Sequence, residues 1–161
     1  MRLSSAIREA KDRLRACSEC FNQTDEELCE VCKNPKRDRS LICVVEQPRD
    51  LLAIEKTGRY SGVYHVLEGH IAPLEGVGPE HLTIEKLLER VKKGSLQEVI
   101  LALNPTMEGD ATALYLLKLL APLVLKVTRL ARGIPSGGNI EYASSAIIAD
   151  ALAGRTTLEA K

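Results

Sequence analysis

The sequence has no tryptophan, a single phenylalanine at position 21 and four tyrosines. Recognition of single strands by stacking needs several exposed rings, so this scarcity argues against an aromatic platform. Net charge is missing too. The 22 basic and 22 acidic residues cancel, and a nucleic-acid role would need a local basic patch rather than an overall field. No apolar run approaches the length of a membrane span, and Met1-Arg-Leu-Ser-Ser5 lacks the apolar core of a secretory signal. The expected location is the cytoplasm, where thiols stay reduced and paired cysteines point to metal before disulfide.

What remains is ordinary globular composition, 45% apolar and 27% charged over 161 residues. That length suits one core, or one core with a small appended module. Leu3, Ile7, Ala10 and Leu14 fall on one helical face, which predicts an amphipathic helix over residues 1–16. From Leu41 the pattern becomes regular. Strands are expected at 41–45, 63–67, 98–103 and 126–131, and helices at 49–57, 84–93, from about 109 to 121, and 145–153. Pro48 suits a first helical turn, Gly58 and Gly94 suit helix ends, and Thr83 is the expected N-cap of 84–93. Strands and helices alternating through short loops imply an α/β fold, a parallel sheet with helices on both faces.

Cys17-x2-Cys20 and Cys29-x2-Cys32 are separated by eight residues. Each pair sits on a tight turn that aims two thiolates at one point, and two such turns complete a tetrahedral sulfur site with no open position for catalysis. Structural zinc is the expected ion, with an iron–sulfur cluster as the other metal group. Cys43 lies in an apolar run and is expected in the core. Just past the module, Lys33, Lys36, Arg37 and Arg39 crowd into seven residues. They are either a solvated linker or a contact for a phosphate backbone, which would give affinity without sequence choice.

Glu46 ends the first strand of the regular pattern, Asp50 opens the next helix, and Glu108 and Asp110 follow the third strand. The carboxyl ends of parallel strands share one edge, so these four acids could converge. Converging carboxylates suit a hard divalent cation and phosphate chemistry. The other reading is acids at helix starts, favoured by the helix dipole. His65 is expected as a core or edge residue of its strand, and His70 and His81 flank a Gly/Pro-rich loop. Gly137-Gly138 reads as a flexible turn.

Val44-Val-Glu-Gln-Pro-Arg-Asp50 and Asn104-Pro-Thr-Met-Glu-Gly-Asp-Ala-Thr112 resemble a Toprim domain. More narrowly, the chain resembles the bacterial RecR family of recombination mediators. The four cysteines followed by Cys32-Lys-Asn-Pro-Lys-Arg-Asp38 carry that likeness, together with the blocks Val66–Pro79 and Leu130–Gly138. Catalytic Toprim domains carry a Glu after the first strand and an Asp-x-Asp pair after the third. Glu46 holds the first place, but Asn104 and Thr106 stand where the pair would be, and neither is a carboxylate. No tyrosine sits in a recognisable breakage motif, and no G-x-x-x-x-G-K-[ST] phosphate loop is present.

The resemblance implies a non-enzymatic repair factor that acts with RecO, and in some settings RecF, to load RecA onto DNA. It implies that Glu46, Asp50, Glu108 and Asp110 serve the partner RecO. The competing reading is a magnesium-dependent, nuclease- or topoisomerase-like enzyme using Glu46 and Glu108. The resemblance further implies a homo-oligomeric clamp, a tetrameric ring in full-length relatives and a dimer when their N-terminal helix-hairpin-helix domain is absent. The expected organisation is a helix over 1–16 left from that domain's exit, a zinc module over 17–40, a Toprim domain over 41–130, and a Walker-B-like segment with a helix over 131–161. Many relatives carry acids at the level of Ser144 and Ser145, and the two serines here remove charge from a loop expected at a subunit contact.

Overall fold

The computed structural model of the chain describes residues 13–157. Most of the helix expected over residues 1–16 lies outside them. Its last two residues are not helical. Arg15–Ala16 forms a short strand, β1, paired antiparallel with β2, Gln23–Thr24. The local reason is the turn at the first cysteine pair, where Cys17 N–H donates to Asn22 O at 2.7 Å and draws the flanking segments together. A four-residue helix, α1 (Glu30–Lys33), then carries Val31 and Cys32 inward.

Four strands build the main sheet: β3 (Asp38–Val45), β4 (Gly62–Val66), β5 (Glu98–Leu101) and β6 (Lys126–Arg129). All are parallel, in the order β4-β3-β5-β6. Side chains alternate across a strand, and both faces are covered, so β3 and β4 read as continuous apolar runs. On one face Ile42, Val44, Val63, Val99 and Leu101 meet Leu87 and Val91 of α3 (Ile84–Lys93) and Leu116 and Leu120 of α4 (Met107–Leu120). On the other, Cys43, Val45, Tyr64 and Val66 meet Leu51 of α2 (Pro48–Glu55), Val31 and the four paired cysteines. The α/β fold with helices on both faces of a parallel sheet is therefore as expected, and Cys43 is in its core.

Several boundaries move. β3 begins at Asp38 rather than Leu41, because Asp38 pairs with Gly62 across an irregularity before Ile42. β4 starts and ends one residue early, α2 spans Pro48–Glu55, and β5 and β6 stop two residues short, at Leu101 and Arg129. Helix α4 begins at Met107, not Gly109, because Thr106 is its N-cap and accepts from Gly109 N–H at 3.0 Å. Thr83 is the N-cap residue of α3, as expected, but its side chain makes no capping bond. Its hydroxyl donates instead to Val66 O at 2.7 Å, tying the helix start to the sheet.

Among the described residues no strand lies beside the edge of β4 that faces away from β3, and four of its backbone polar groups find partners elsewhere. Val66 N–H donates to Cys20 O at 2.8 Å, and Thr83 closes Val66 O. Arg90 donates to Tyr64 O at 2.6 Å, and Arg37 to Gly62 O at 3.2 Å. Closure of this kind removes a template for stray strand pairing.

The described residues fall into two compact units that divide between Arg129 and Leu130. The second contains the loop through Gly137, a turn of 3₁₀ helix at Ile140–Tyr142 and α5 (Ser145–Ala153). Ser144 caps α5, its hydroxyl accepting from Ile147 N–H at 3.4 Å, which gives that serine a local role.

His65 is fully buried on β4. Its Nε2 lies 3.1 Å from Thr83 O and 2.9 Å from Thr83 Oγ1. Thr83 spends its own hydrogen on Val66 O, so Nε2 carries the proton and Nδ1, which has no partner, is bare. Burial pushes this imidazole down to about 4, from an ordinary value near 6.5. As pH falls below 6.5 the unfolded chain takes up a proton on His65 that the folded chain refuses until about pH 4. Stability is thus full above pH 6.5 and is lost between there and pH 4, by up to about 3 kcal/mol. Urea denaturation across that window should show a flatter pH dependence for His65→Gln, and an unchanged slope would refute the assignment.

Candidate functional site

The first pair of cysteines flanks the turn after β1, and the second brackets the start of α1. Phe21 takes a left-handed backbone conformation (φ 64°) just after Cys20, turning the chain back toward β2. All four cysteines are buried, and their sulfurs lie within 4.8 Å of one another. Sulfurs around a tetrahedral thiolate-bound zinc stand about 3.8 Å apart, and Cys20 Sγ and Cys29 Sγ are at 3.5 Å. Cys29 N–H points at Cys17 Sγ at 3.3 Å, a backbone donor suited to a thiolate.

The thiols alone cannot share four negative charges. Hydrogen bonding with Cys29 and burial push the Cys20 thiol up, and bonds with Cys20 and Cys29 do the same to Cys32. Those bonds hold Cys29 well below the ordinary thiol range. The Cys29 thiolate is stabilised at the expense of Cys20 and Cys32, and a cation is what would release those two. The donor set fits a metal ion with four sulfur ligands. Cys43 takes no part, because burial pushes its thiol up to about 12 and keeps it neutral.

The four basic residues after the module do not form one open patch. Arg37, 15% exposed, forks onto Glu55 and also donates to Tyr60 O and Gly62 O. Glu55 is further held by Tyr64 Oη at 2.6 Å. Lys33 pairs with Glu26. Arg39 reaches Glu19 Oε1 at 2.9 Å and Cys32 O at 2.7 Å. Lys36 is exposed.

The acids of the carboxyl edge do not gather into a group close enough for one ion, and their surroundings differ. Glu46 is only 4% exposed. Its Oε1 accepts from Asn104 N–H at 2.8 Å and its Oε2 from Asn104 Nδ2 at 2.9 Å, with His70 Nδ1 at 3.1 Å. Asp50 caps its own helix, accepting from Gln47 N–H at 2.9 Å. Glu108 and Asp110 occupy the first turn of α4, Glu108 exposed and Asp110 half-buried. Among the described residues, the four cysteines alone form a group of three or more ligands close enough for one ion. His81 is occupied otherwise, its Nδ1 accepting from Gly78 N–H at 3.0 Å.

Helix α4 approaches this edge closely. A Cβ on Gly109 would fall 2.0 Å from Asn104 O and 3.1 Å from Glu46 Oε1, so only glycine fits. Thr112, buried one turn later, accepts from Ile71 N–H at 2.9 Å and ties in the Gly/Pro-rich loop.

Sequence reasoning missed four of these partners: Glu19, Glu55, Arg90 and His70. It also read Asn104 only as a lost ligand. Its donor chemistry was the available signal, since an amide donates to a buried carboxylate where an aspartate would repel it. Asn104→Asp should therefore cost about 2 kcal/mol or more at neutral pH. Urea denaturation would read this, with the loss shrinking as pH falls into the carboxylate range. An unperturbed variant at pH 7 would refute the pairing.

A family model described as the Toprim domain matches residues 40–131. A protein named "Recombination protein RecR" from Rhodopirellula baltica is 55% identical over 156 residues, covering 97% of this chain and 78% of its own length. Proteins of the same name from Desulfitobacterium hafniense and Chloroflexus aurantiacus are 56% and 54% identical, each matched over 76% of its length and 95% and 97% of this chain. With the cysteine cluster and parallel sheet in place, these similarities show that the chain belongs to the RecR family of recombination proteins and carries a Toprim domain.

Proposed function

We propose that the chain is a non-catalytic mediator of DNA repair and recombination. It works in the cytoplasm as an oligomeric clamp on DNA and recruits RecO, with RecF in some settings, to promote RecA loading. The observation that carries the non-catalytic part is the bond between Glu46 and Asn104. A Toprim metal site needs carboxylates free to face an ion, whereas Glu46 is buried and its two oxygens are spent on one amide side chain and one backbone N–H. An ion there would have to break a satisfied buried network, at a cost that weak oxygen ligands do not offset.

The partner surface in this reading is the acidic edge. Glu108 and Asp110 present charge from the first turn of α4, Asp50 contributes from α2, and Glu46 acts indirectly by fixing the Asn104 turn. Glu108→Ala with Asp110→Ala should weaken capture of RecO by about tenfold or more, as expected for loss of two interfacial charges. Pull-down or calorimetry with purified RecO checks this, and unchanged affinity would sink the partner site. DNA contact falls to exposed Lys36 and to Arg39, whose side chain stays 54% exposed beside Glu19, whereas Arg37 is turned inward onto Glu55 and Lys33 pairs with Glu26. Subunit contacts fall in this reading to the block from Ala131 to Arg155.

Zinc is the ion we assign to Cys17, Cys20, Cys29 and Cys32, because four thiolates at tetrahedral spacing suit it. Metal analysis should give about one zinc per chain. Chelation should lower the thermal midpoint, because the cysteine module closes the edge of β4. A stoichiometry far below one, or a midpoint indifferent to chelator, would refute the assignment.

A further inference from the structure

A cleft of about 370 Å³ lies between the cysteine module and α3. Its wall includes Arg39, Lys86, Arg90 and Lys93, with Glu19 and Glu89. In a chain whose charges cancel overall, four cations against two carboxylates is a local excess. Lys86 and Glu89 satisfy each other at 3.1 Å.

Arg39 and Arg90 are arranged differently. Arg90 Nη1 is fixed on Tyr64 O at 2.6 Å, and Arg39 Nη2 on Cys32 O at 2.7 Å. Each guanidinium is held by a backbone carbonyl and aims its other Nη at the same atom. Glu19 Oε1 receives Arg39 Nη1 at 2.9 Å and Arg90 Nη2 at 3.0 Å. Two guanidiniums from segments far apart in sequence, each immobilised before any ligand arrives, converge on one oxygen. Arginine forks so placed form a receptor for an oxyanion, and a carboxylate of the chain itself fills it.

We propose that this cleft binds a phosphate group, and that Glu19 is the internal anion the phosphate displaces. Glu19 is 29% exposed and Arg39 is 54% exposed, so the carboxylate has a route to water and the incoming anion a route to the arginines. A phosphate oxygen in the place of Glu19 Oε1 takes both Nη donors, and Lys93 on the last turn of α3 adds charge at the wall. The phosphate is either a phosphodiester of a nucleic-acid backbone or a free phosphate. The first source deepens the reading of the chain as a DNA-binding protein and rests on it, whereas the second does not.

The test turns on opposite signs. Binding of a short labelled single-stranded oligonucleotide to the metal-loaded chain is followed by anisotropy at low salt, for the parent chain, Glu19→Gln and Arg39→Gln. Glu19→Gln should tighten binding about fivefold by removing the competitor. Arg39→Gln should weaken it by a similar factor and lower the salt slope by about one. Inorganic phosphate, titrated against the arginine side-chain N–H resonances, separates the sources. A phosphate response without an oligonucleotide response assigns the site to free phosphate, and a response to both assigns it to a backbone. Thermal midpoints report folding, and Lys93→Gln replaces Arg39→Gln if the latter fails to fold. A cleft that only staples the module to α3 predicts lower midpoints in both variants with no change toward either probe, and that result overturns the proposal. Oligonucleotide binding that Lys36→Gln weakens but Glu19→Gln and Arg39→Gln leave unchanged keeps DNA binding and rejects this site.

Discussion

The outer edge of β4 is the constraint around which the first unit is arranged. A parallel sheet leaves backbone N–H and C=O groups pointing outward at its ends, and unmet groups there cost free energy or invite another strand. Here the closing groups come from four separate segments: Cys20 of the metal module, Arg37 after it, Thr83 before α3 and Arg90 within it. The cysteine module is therefore part of the sheet's closure rather than an appendage. Forming its sulfur cluster sets the turn after Cys20 and, with it, the bond to Val66.

At the carboxyl end of the sheet the same accounting explains a change of chemistry. Glu46 leaves β3 into an environment almost without water, where a carboxylate must be satisfied. Two facing carboxylates can coexist there only around a cation or by sharing a proton. An amide removes the conflict, since Asn104 donates from its backbone and its side chain to the two oxygens of Glu46. Gly109 then lets the start of α4 come close enough to cover the pair. These bonds satisfy Glu46 within the chain, and Glu108 and Asp110 follow in the first turn of α4, the first exposed and the second half-buried.

What the sequence made legible follows from the range of each interaction. Strand identity rests on local apolar runs, and all four strands of the main sheet were readable from them. The metal cluster was readable because two tight turns fix ligand spacing within a dozen or so residues. The start of α4 was misplaced by two residues because Gly109 reads as a helix boundary, whereas Thr106 holds it as a capped first turn. Arg37 and Arg39 looked alike as members of one basic run. Their fates differ through Glu55, 18 residues on, and Glu19, 20 residues back. A charge run records which residues are cationic but carries no trace of partners that only the fold brings near.

Those partners also decide which charges are available for function. A guanidinium has five donors, and one carbonyl or carboxylate rarely exhausts them. Arg37 gives its donors to Glu55, Tyr60 O and Gly62 O, so it belongs to the structure. Arg90 and Arg39 each spend one Nη on a carbonyl and turn the other into the same cleft. Lysine could not divide itself this way, because its three donors share one nitrogen rather than being spread over a rigid fork. Arg90 thus closes the sheet edge with one Nη and presents a donor in the cleft with the other, while Arg39 divides its donors between Cys32 O of the cysteine module and the cleft. Glu19 sits between the first two cysteines, so the position of its carboxylate depends on the turn that the sulfur cluster holds. The metal module, the closed edge and the occupied anion receptor are for that reason a single mechanical unit.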